Sequence, residues 1–401
     1  MIRYQGTLED ACELIADCPH TTAKDEGEGY PLVRTPNIGF GRLVYDKMHR
    51  VSESVYNCRN RRAKPVAGDL IYAREAPAGN VALITAGENV CLGQRTVLIR
   101  PKRDVVNSVY LTYYLLDPSQ RNRLLSTASG ATVTHVNLPA IRGLSVSFPD
   151  LKLQNQIADI LGAYDDLIEN NRRRIELLEK MARELYRERF VRRATQGVEL
   201  SLMKMFDYVR GKSYASNEID VSEGVPMINL KNIKAWGGYK AGAERLFSGD
   251  YKSEQTLSCG DVIMGVTDMT QDRRIVGHVA IVPTLDQTAT FSMDIIKLIP
   301  KEISRVELYT ILRFSGVSKE ISQLATGATV LHLRPNALDS VHLRIPRKSD
   351  FAEVEDLFGN YYSEMDKLAL QNRNLVKQRD RLLPRLMSGK IDLDKLVKEA
   401  E

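Results

Sequence analysis

Basic and amide side chains gather near predicted turns in both halves of this 401-residue chain. Arginine and asparagine form paired hydrogen bonds with base edges, and lysine and arginine neutralise phosphates. A single such residue is more often an ordinary solvated side chain, so the prediction of a nucleic-acid contact rests on the clusters. The candidates are Arg34, Asn37, Arg42, Arg59, Asn60, Arg61, Arg62, Lys64 and Asn137 in the first half, and Arg210, Lys212, Tyr214, Asn229, Lys231, Asn232, Lys234, Arg273, Arg274 and Arg334 in the second.

Motifs for catalysis find little support. Gly211-Lys212-Ser213 lacks the first glycine of a phosphate-binding loop, and the Asn-Pro-Pro-Tyr type of motif expected of an adenine methyltransferase is absent. Asp69 and Asp261 follow glycines and lack nearby acidic partners for a metal. The five cysteines are odd in number and lack the paired spacing of a zinc site. We therefore predict no catalytic residue, metal or cofactor on this chain.

A short motif occurs twice in the chain. Gly130–His135 has the sequence Gly-Ala-Thr-Val-Thr-His, and Gly327–His332 has Gly-Ala-Thr-Val-Leu-His. Each copy leads through an apolar stretch to a proline and then to a long charged segment. Other matches keep the same order, such as Gly68-Asp69 with Gly260-Asp261. Such self-similarity, with only two large units, predicts two related globular domains separated by two related helices.

The role of the motif copies has two interpretations. A glycine followed by a hydroxyl residue suits a turn that faces a phosphate, or a helix N-cap. Because both copies lead into the long segments, we favour a structural role at the domain–helix junction. The residues concerned are Gly130, Thr132, His135, Gly327, Thr329 and His332.

Both halves contain the same order of predicted elements. Aliphatic and β-branched runs predict strands, and an apolar stripe predicts one helix in each half. The predicted strands are 68–73, 95–100, 261–264 and 295–299, and the predicted helices are 109–116 and 305–314. The predicted fold class is therefore mixed α/β (α+β), with two domains in tandem. The predicted boundaries are 1–150 for the first domain, 151–192 for a central helix, 193–347 for the second domain, 348–390 for a distal helix and 391–401 for a C-terminal tail.

The central segment carries an apolar seam in steps of four and three residues, which is typical of a coiled coil. Its members are Ile157, Leu161, Tyr164, Ile168, Asn171, Ile175, Leu178, Ala182 and Leu185. Such a helix spans roughly 60 Å at about 1.5 Å per residue, more than one ordinary domain can bury, so it needs a partner helix.

The distal segment supplies that partner. Its seam contains Phe358, Tyr362, Met365, Ala369, Asn372, Val376, Leu383 and Leu386. Arg379 interrupts this seam, Pro384 is expected to kink or end the helix, and Gly389 follows as a stop signal. Because a whole domain lies between the two segments, they can pair antiparallel, with Asn171 and Asn372 setting the register. The pair is either a spacer alone or a spacer that also docks partner subunits, and the charged outer face favours the second interpretation.

The start of the central segment resembles a known family. Pro149-Asp150-Leu151-Lys152-Leu153-Gln154-Asn155-Gln156-Ile157 is similar to the Pro-Pro-Leu-x-Glu-Gln-x-x-Ile pattern of type I restriction–modification specificity subunits. The continuation 165–175 and the run 185–190 are also similar to the family pattern. Asp150 and Leu153 replace the second proline and the glutamate, and residues 345–351 lack the proline pair and the glutamine altogether. The resemblance covers essentially the whole chain.

This resemblance implies a noncatalytic DNA-specificity subunit. Each domain would recognise one half of a split, asymmetric duplex target, and the helices would dock two methyltransferase subunits. Those partners would carry S-adenosylmethionine and modify adenine N6, and motor–nuclease subunits using ATP and Mg²⁺ could join them.

Composition sets wider limits on function. Hydrophobic residues make up 43%, charged residues 27%, and the formal net charge is +5, which permits a polyanionic partner without requiring one. The sequence has neither a long apolar run nor a signal-peptide core, so we expect a cytoplasmic prokaryotic protein, at the nucleoid when bound, and no membrane partner. The alternative hypothesis is a coiled-coil scaffold with two ligand-binding modules unrelated to DNA.

Overall fold

The computed structural model describes residues 2–128, 135–192, 197–391 and 393. These residues form two compact units. One unit contains the described residues up to Asn170 and those from Asn372 onward, and the other runs from Asn171 to Gln371. Both boundaries fall inside long helices, so each of these helices contributes one part to each unit.

The first unit contains ten strands and four short helices among its described residues. They are β1 (Ile2–Thr7), β2 (Cys12–Asp17), β3 (Tyr30–Val33), β4 (Phe40–Gly41), β5 (His49–Val51), α1 (Glu53–Arg59), β6 (Leu70–Ala73), β7 (Val81–Leu83), β8 (Cys91–Leu92), β9 (Thr96–Pro101), α2 (Ser108–Leu116), α3 (Pro118–Ser126), α4 (Leu138–Arg142) and β10 (Ser145–Pro149). The long helix α5 (Leu151–Tyr186) follows, and a π-helical turn at Arg187–Arg192 ends it.

Three sheets make up the first unit. Five strands pair in the order β2-β9-β6-β7-β4, three in the order β5-β3-β8, and β1 pairs with β10. The central strand β6 is buried on both faces because its side chains alternate between two cores. Leu70 and Tyr72 pack in the core that contains α2, whereas Ile71 and Ala73 pack in the core beneath the three-stranded sheet.

The second unit repeats this arrangement. Its elements are β11 (Val198–Ser201), β12 (Phe206–Arg210), β13 (Val225–Ile228), β14 (Arg245–Phe247), β15 (Val262–Gly265), β16 (Thr267–Asp268), β17 (Val279–Ile281), β18 (Thr290–Phe291), β19 (Ile295–Pro300), α6 (Arg305–Phe314), α7 (Val317–Gln323), β20 (Leu331–His332), β21 (His342–Ile345) and α8 (Lys348–Met387). Strands pair in the orders β12-β19-β15-β17 and β14-β13-β18, and also as β11–β21 and β16–β20. Each of the first three pairings has a counterpart in the first unit, so the internal repeat of the sequence is also a repeat of topology.

The predicted elements agree with the structure except in the environment of one helix. The strands at 68–73, 95–100, 261–264 and 295–299 and the two helices are present within a few residues of their predicted bounds. Helix α2 begins at Ser108, and the side chain of Asn107 caps it. Every residue from Tyr110 to Leu116 is buried, so α2 is not exposed along one face as its apolar stripe suggested. The sheet covers one side, and on another the Tyr113 hydroxyl lies 3.0 Å from the Leu161 carbonyl of α5.

In the first unit, the early part of α5 pairs antiparallel with the late part of α8. The Asn372 amide donates to the Ile168 carbonyl (3.1 Å), and further along α8 the Arg379 guanidinium donates to Asp165 (2.5 Å). The seam residues Ile157, Leu161 and Ile168 are buried. The predicted antiparallel pairing is therefore confirmed here, and Asn372 bonds to the facing helix.

In the second unit, the late part of α5 pairs antiparallel with the early part of α8. The Asn171 amide donates to Gln371 (3.4 Å), Arg174 pairs with Glu364 (2.9 Å), and Arg189 pairs with Glu353 (3.6 Å). The predicted seam is only partly sealed here. Asn171, Ala182, Phe358 and Tyr362 are buried, whereas Ile175, Leu178 and Met365 are half-buried. In the first unit, the seam residues Tyr164 and Val376 are also half-buried.

The end of α8 agrees with the predicted stop signal at Gly389 and excludes an end at Pro384. The helix continues through Pro384 to Met387, and Leu383 and Leu386 pack in the main core of the first unit. Gly389 follows the helix with φ of +68°, a left-handed backbone conformation that favours glycine and ends helices. The glycine, not the proline, therefore marks the end of the helix.

A buried carboxyl group in the second unit makes its stability depend on pH. Glu307 is 4% exposed in the first turn of α6, where its N–H donates to the Ser304 hydroxyl (2.9 Å). Burial, with a smaller effect of the Glu355 carboxylate, raises the pKa of Glu307 from 4.5 to about 7, and Lys348 opposes the shift. Between these two pH values the folded protein holds a proton that the unfolded chain has lost. The resulting destabilisation is absent below pH 4.5 and complete above pH 7.

Glu307→Gln keeps the shape of the side chain and removes its ionisation. We expect this variant to raise the Tm of the second unit at pH 8 and to raise it less at pH 5, because the carboxyl group carries little penalty at the lower pH. Differential scanning calorimetry at both pH values measures the two shifts. Glu320→Gln, an exposed carboxyl on α7, is the matched control and should show no such difference. Equal shifts for Glu307→Gln at both pH values would contradict the assignment.

Candidate nucleic-acid interface and helix pair

Asn37, a predicted DNA contact, is instead part of the framework of its own loop. It ends a 3-10 turn after β3 and is 1% exposed. Its amide donates to the carbonyls of Val44 (3.0 Å) and Asp46 (3.3 Å), and its oxygen accepts the Arg34 N–H (3.3 Å). Because these bonds use both ends of the amide inside the protein, Asn37 closes the loop and does not face a ligand.

Asn229 and Asn232 have the same framework role after β13. Asn232 is fully buried, donates to the Lys240 carbonyl (3.0 Å) and Glu244 (3.0 Å), and accepts the Asn229 N–H (3.0 Å). The Asn229 side chain donates to the Ala243 carbonyl (2.8 Å) and caps the turn at Lys231. The structure therefore favours a loop-closing function for both residues over the predicted contact with bases.

Arg59 is also turned inward. It is 7% exposed at the end of α1, and its three nitrogens donate to the carbonyls of Leu92 (2.6 Å), Thr21 (3.1 Å) and Pro19 (3.4 Å). Because all these bonds are internal, Arg59 fastens the loop after β2 to β8 and is not free to contact DNA.

Arg42 joins the first unit to its helix. Its guanidinium pairs with the Asp166 carboxylate on α5. This partner was not predicted, and it assigns Arg42 to packing between the sheet and the helix in place of the predicted DNA contact.

Other candidates remain at the surface of their units. Arg34 is half-buried and donates to the Lys47 carbonyl (3.2 Å), and the Lys64 ammonium lies 5.8 Å from the centre of the Tyr56 ring. Exposed candidates are Arg61, Arg62, Lys64, Asn137, Arg210, Lys231, Lys234 and Arg334. These side chains are available to a polyanion, and the predicted DNA contacts at these positions stay predictions.

In the second unit, a loop carries Arg273 and Arg274. Arg273 donates to the Ser322 carbonyl (2.9 Å), and Arg274 pairs with Asp272 and through its carbonyl accepts the Trp236 N–H (2.7 Å). Trp236 is 53% exposed and packs edge-on against the buried His278 ring (5.6 Å between centroids).

Burial and then the nearby Arg313 guanidinium lower the pKa of His278 to about 4. His278 is therefore neutral at physiological pH beside the exposed indole of Trp236. Two further candidates are half-buried, with Tyr214 packed against Phe247 and the backbone of Lys212 bonded to Phe291.

The described residues of the repeated motif contact strands of their own units. Gly130 and Thr132 lie outside the described residues. His135 bonds to Arg74 and Glu75 at the end of β6, and His332 pairs with Thr267 of β16. Gly327 has φ of +146°, and a Cβ there would lie 2.0 Å from the Val330 carbonyl oxygen, so the predicted tight turn requires glycine. Thr329 is exposed in that turn. The contacts of the two histidines do not support the predicted domain–helix junction, because each bonds to a neighbouring sheet.

Sequence analysis missed the buried ion pair of the first unit. Asp165 and Arg379 have side chains that are each 7% exposed. Asp165 also accepts the Tyr113 hydroxyl (2.5 Å), and the Arg379 guanidinium lies 4.3 Å from the centre of the Phe40 ring. Arg379 interrupts the apolar seam, but Asp165 on the facing helix neutralises its charge. This partner is evident only once the two helices are paired.

Several large apolar side chains on α5 are about half exposed. Leu177 and Met181 are 58% and 49% exposed and lie four residues apart, hence on the same face of the helix. Leu167, earlier on the same helix, is 52% exposed. The charged face of α5 therefore contains apolar positions of the kind found in protein interfaces.

Within the described residues, no group of three or more His, Cys, Asp or Glu side chains has the arrangement of a metal site. The five cysteines are free thiols, of which Cys58 and Cys259 are exposed. No helix in the described ranges combines the length and apolar character needed to span a membrane.

Comparisons with known proteins agree with the resemblance stated from the sequence. Residues 5–180 match the family model of the type I restriction modification DNA specificity domain. The MjaIX type I restriction enzyme specificity subunit of Methanocaldococcus jannaschii is 23% identical over 82% of this chain and 79% of its own length. The HindI type I restriction enzyme specificity subunit of Haemophilus influenzae is 20% identical, with 89% and 95% covered.

A solved structure supports the fold. The S subunit of a type I restriction-modification system from M. genitalium superposes with a TM-score of 0.57, covering 96% of this chain and 95% of that one at 16% identity. The predicted mixed α/β fold class is confirmed. The domain boundaries and the individual site residues stay predictions.

The buried ion pair of the first unit predicts a clear stability effect. Asp165→Ala leaves the Arg379 guanidinium buried without its main partner, and we expect a loss of roughly 3 kcal/mol in the free energy of unfolding. Urea denaturation followed by circular dichroism measures it. The matched control is Arg174→Ala, which removes an ion pair whose side chains are 50% and 39% exposed and should cost less than about 1 kcal/mol. Similar losses for both variants would contradict the importance of burial.

Proposed function

Because residues 5–180 belong to the type I restriction modification DNA specificity domain family, we propose that this chain is the noncatalytic specificity subunit of a type I restriction–modification complex. Each unit recognises one half of a split, asymmetric DNA target. The observation that carries the proposal is the repeat of one framework with two different sets of exposed side chains. Two related units with unlike surfaces are suited to two different half-sites.

The framework is common to the two units. Asn37 and Asn232 close the loop after β3 and β13 with matching hydrogen bonds. Asp69 and Asp261 each accept a backbone N–H three residues earlier, from Val66 (2.9 Å) and Ser258 (2.8 Å). Since these buried groups hold the loops, the exposed basic residues beside them are placed to contact phosphates and base edges.

The helices dock two methyltransferase subunits in this proposal. Exposed Leu177 and Met181 provide an apolar patch amid charged residues, which suits a stable contact between subunits. S-adenosylmethionine and adenine N6 methylation belong to those partners, and ATP and Mg²⁺ belong to motor–nuclease subunits where these join the complex.

A domain exchange tests the assignment of one half-site to each unit. We expect that replacing residues 193–347 with the corresponding domain of another specificity subunit changes one half of the methylated motif and leaves the other intact. Single-molecule sequencing of genomic DNA, scored for N6-methyladenine in strains with the native chain, the exchanged chain or none, measures this. A change in both halves would contradict recognition by separate units. An unchanged methylation map on deletion of the native chain would favour the scaffold hypothesis.

A second variant tests the docking surface. Leu177→Ser with Met181→Ser should weaken copurification of the methyltransferase subunits by about tenfold or more, because the contact loses its apolar anchors. Circular dichroism should show an unchanged helix content, since neither side chain is buried in its unit. Glu184→Ser, another exposed position on α5, is the control and should copurify normally. Normal assembly of the double variant would place the docking surface elsewhere.

A further inference from the structure

A connected set of charged side chains surrounds the end of β6 in the first unit. Arg74 and Glu75 follow this strand directly, and Arg95 precedes β9, the neighbouring strand. His135 lies beyond them in the chain, and Asp17 ends β2. Among these residues, only His135 is a candidate from the sequence, either in a turn that faces a phosphate or at the domain–helix junction.

Arg74 is the buried centre of the set. Its side chain is 9% exposed and donates to Asp17 (2.9 Å) through Nη1 and to the Val136 carbonyl (2.9 Å) through Nε. Nη2 lies 2.7 Å from Nε2 of His135. A guanidinium can only donate, so Nε2 of His135 is the acceptor and its proton is on Nδ1.

The chain of contacts continues from His135 to the surface. Nδ1 of His135 donates to Oε1 of Glu75 (2.6 Å), and Oε2 of Glu75 forms an ion pair with Nη1 of Arg95 (2.9 Å). Side-chain exposure rises along this path from 13% for Glu75 to 58% for Arg95. Arg95 is thus an exposed guanidinium held by a mostly buried carboxylate, with its remaining donors directed away from that bond.

A cavity of about 380 Å³ is lined by Arg74, Glu75, Arg95 and His135 of this set, together with His20 and Gln94. When His135 is neutral, the set carries no net charge, because the two arginines balance the carboxylates of Asp17 and Glu75. A phosphate therefore gains little net attraction there, whereas the edge of a base, which is uncharged and carries acceptors, can bond to a fixed donor.

The backbone of Arg95 supports a functional role. Its φ is +65°, a left-handed conformation that is unfavourable for a side chain other than glycine. Such conformations persist where the surrounding structure enforces them, and they concentrate at binding sites. Here the Arg95 carbonyl accepts the Arg74 N–H (2.9 Å), which ties the unfavourable turn to the end of β6.

The second unit has the same backbone with different side chains. The Val266 N–H donates to the Asp294 carbonyl (2.9 Å), just as the Arg74 N–H donates to the Arg95 carbonyl in the first unit. The Val266 carbonyl accepts the Leu333 N–H (2.8 Å), and in the first unit the Arg74 carbonyl accepts the Val136 N–H (3.1 Å). Val266 and Asp294 are therefore the counterparts of Arg74 and Arg95, and the position carries unlike chemistry in the two units.

We propose that Arg95 recognises a guanine in the half-site of the first unit and that Glu75 is its positioning residue. Guanine presents O6 and N7 as paired acceptors in the major groove, the arrangement that an oriented guanidinium matches. This inference rests on the proposed function, and it adds the base that the first unit recognises at one position.

Three variants of the full chain, in complex with its methyltransferase subunits, test this assignment by selection from a random duplex pool. Arg95→Lys keeps the charge but loses the planar pair of donors, so preference for guanine at one position should fall by about 5- to 150-fold. Its affinity for non-specific duplex should stay the same. Glu75→Ala should also reduce the preference for guanine, while raising non-specific affinity and its salt dependence, because it leaves a net positive charge.

Arg103→Ala is the matched control, an exposed arginine that donates to the Ala67 carbonyl (2.9 Å) near the other end of β6. It should leave every base preference unchanged. If Arg95→Lys selects the wild-type sequence with wild-type strength, Arg95 contacts a phosphate or nothing, and the inference fails while the proposed function stands. If the wild-type complex selects no sequence, the proposed function fails, and the inference with it.

Discussion

The apolar seam of a 36-residue helix must be covered, and the rest of this structure depends on how that is done. Neither unit alone contains both long helices in full, because α5 and α8 each contribute one part to each. Within each unit the covering surface is the antiparallel stretch of the other helix together with the sheet domain. Leu161 and Phe358 are fully buried in this way. Domain and helix therefore share one core in each unit, and neither is a separate folding element.

Polar groups, not apolar ones, set the register of that pairing. Leucine and isoleucine pack acceptably in several registers, whereas a buried charge without its partner costs several kcal/mol. Asp165 with Arg379, and Asn372 with the Ile168 carbonyl, satisfy their bonds in one alignment. Arg379, which interrupts the apolar seam in sequence, is thus a reason that the helices pair in a single way.

The two units share one framework of buried groups and differ in their exposed side chains. Asn37 and Asn232, buried at equivalent turns, hold equivalent loops through hydrogen bonds to backbone carbonyls. Elsewhere in the repeat, directly before β9 and β19, Arg95 of the first unit corresponds to Asp294 of the second. Such a division lets a duplicated framework support two specificities, because a surface side chain can change without disturbing the core.

The sequence by itself determined the order of elements, the repeat, the two long helices and the resemblance to one family, because these depend on local periodicity and on motifs within the chain. It also placed Gly327 in a tight turn and Asn171 and Asn372 in the seam. Only the tertiary structure decided which polar residues face inward. Asn37, Asn232 and Arg59 looked like ligand contacts because amides and guanidinia serve both purposes, and their partners are backbone carbonyls that no pattern of side chains reveals. Arg74, Glu75, Arg95 and His135 come together from distant parts of the chain, so their joint chemistry exists only after folding.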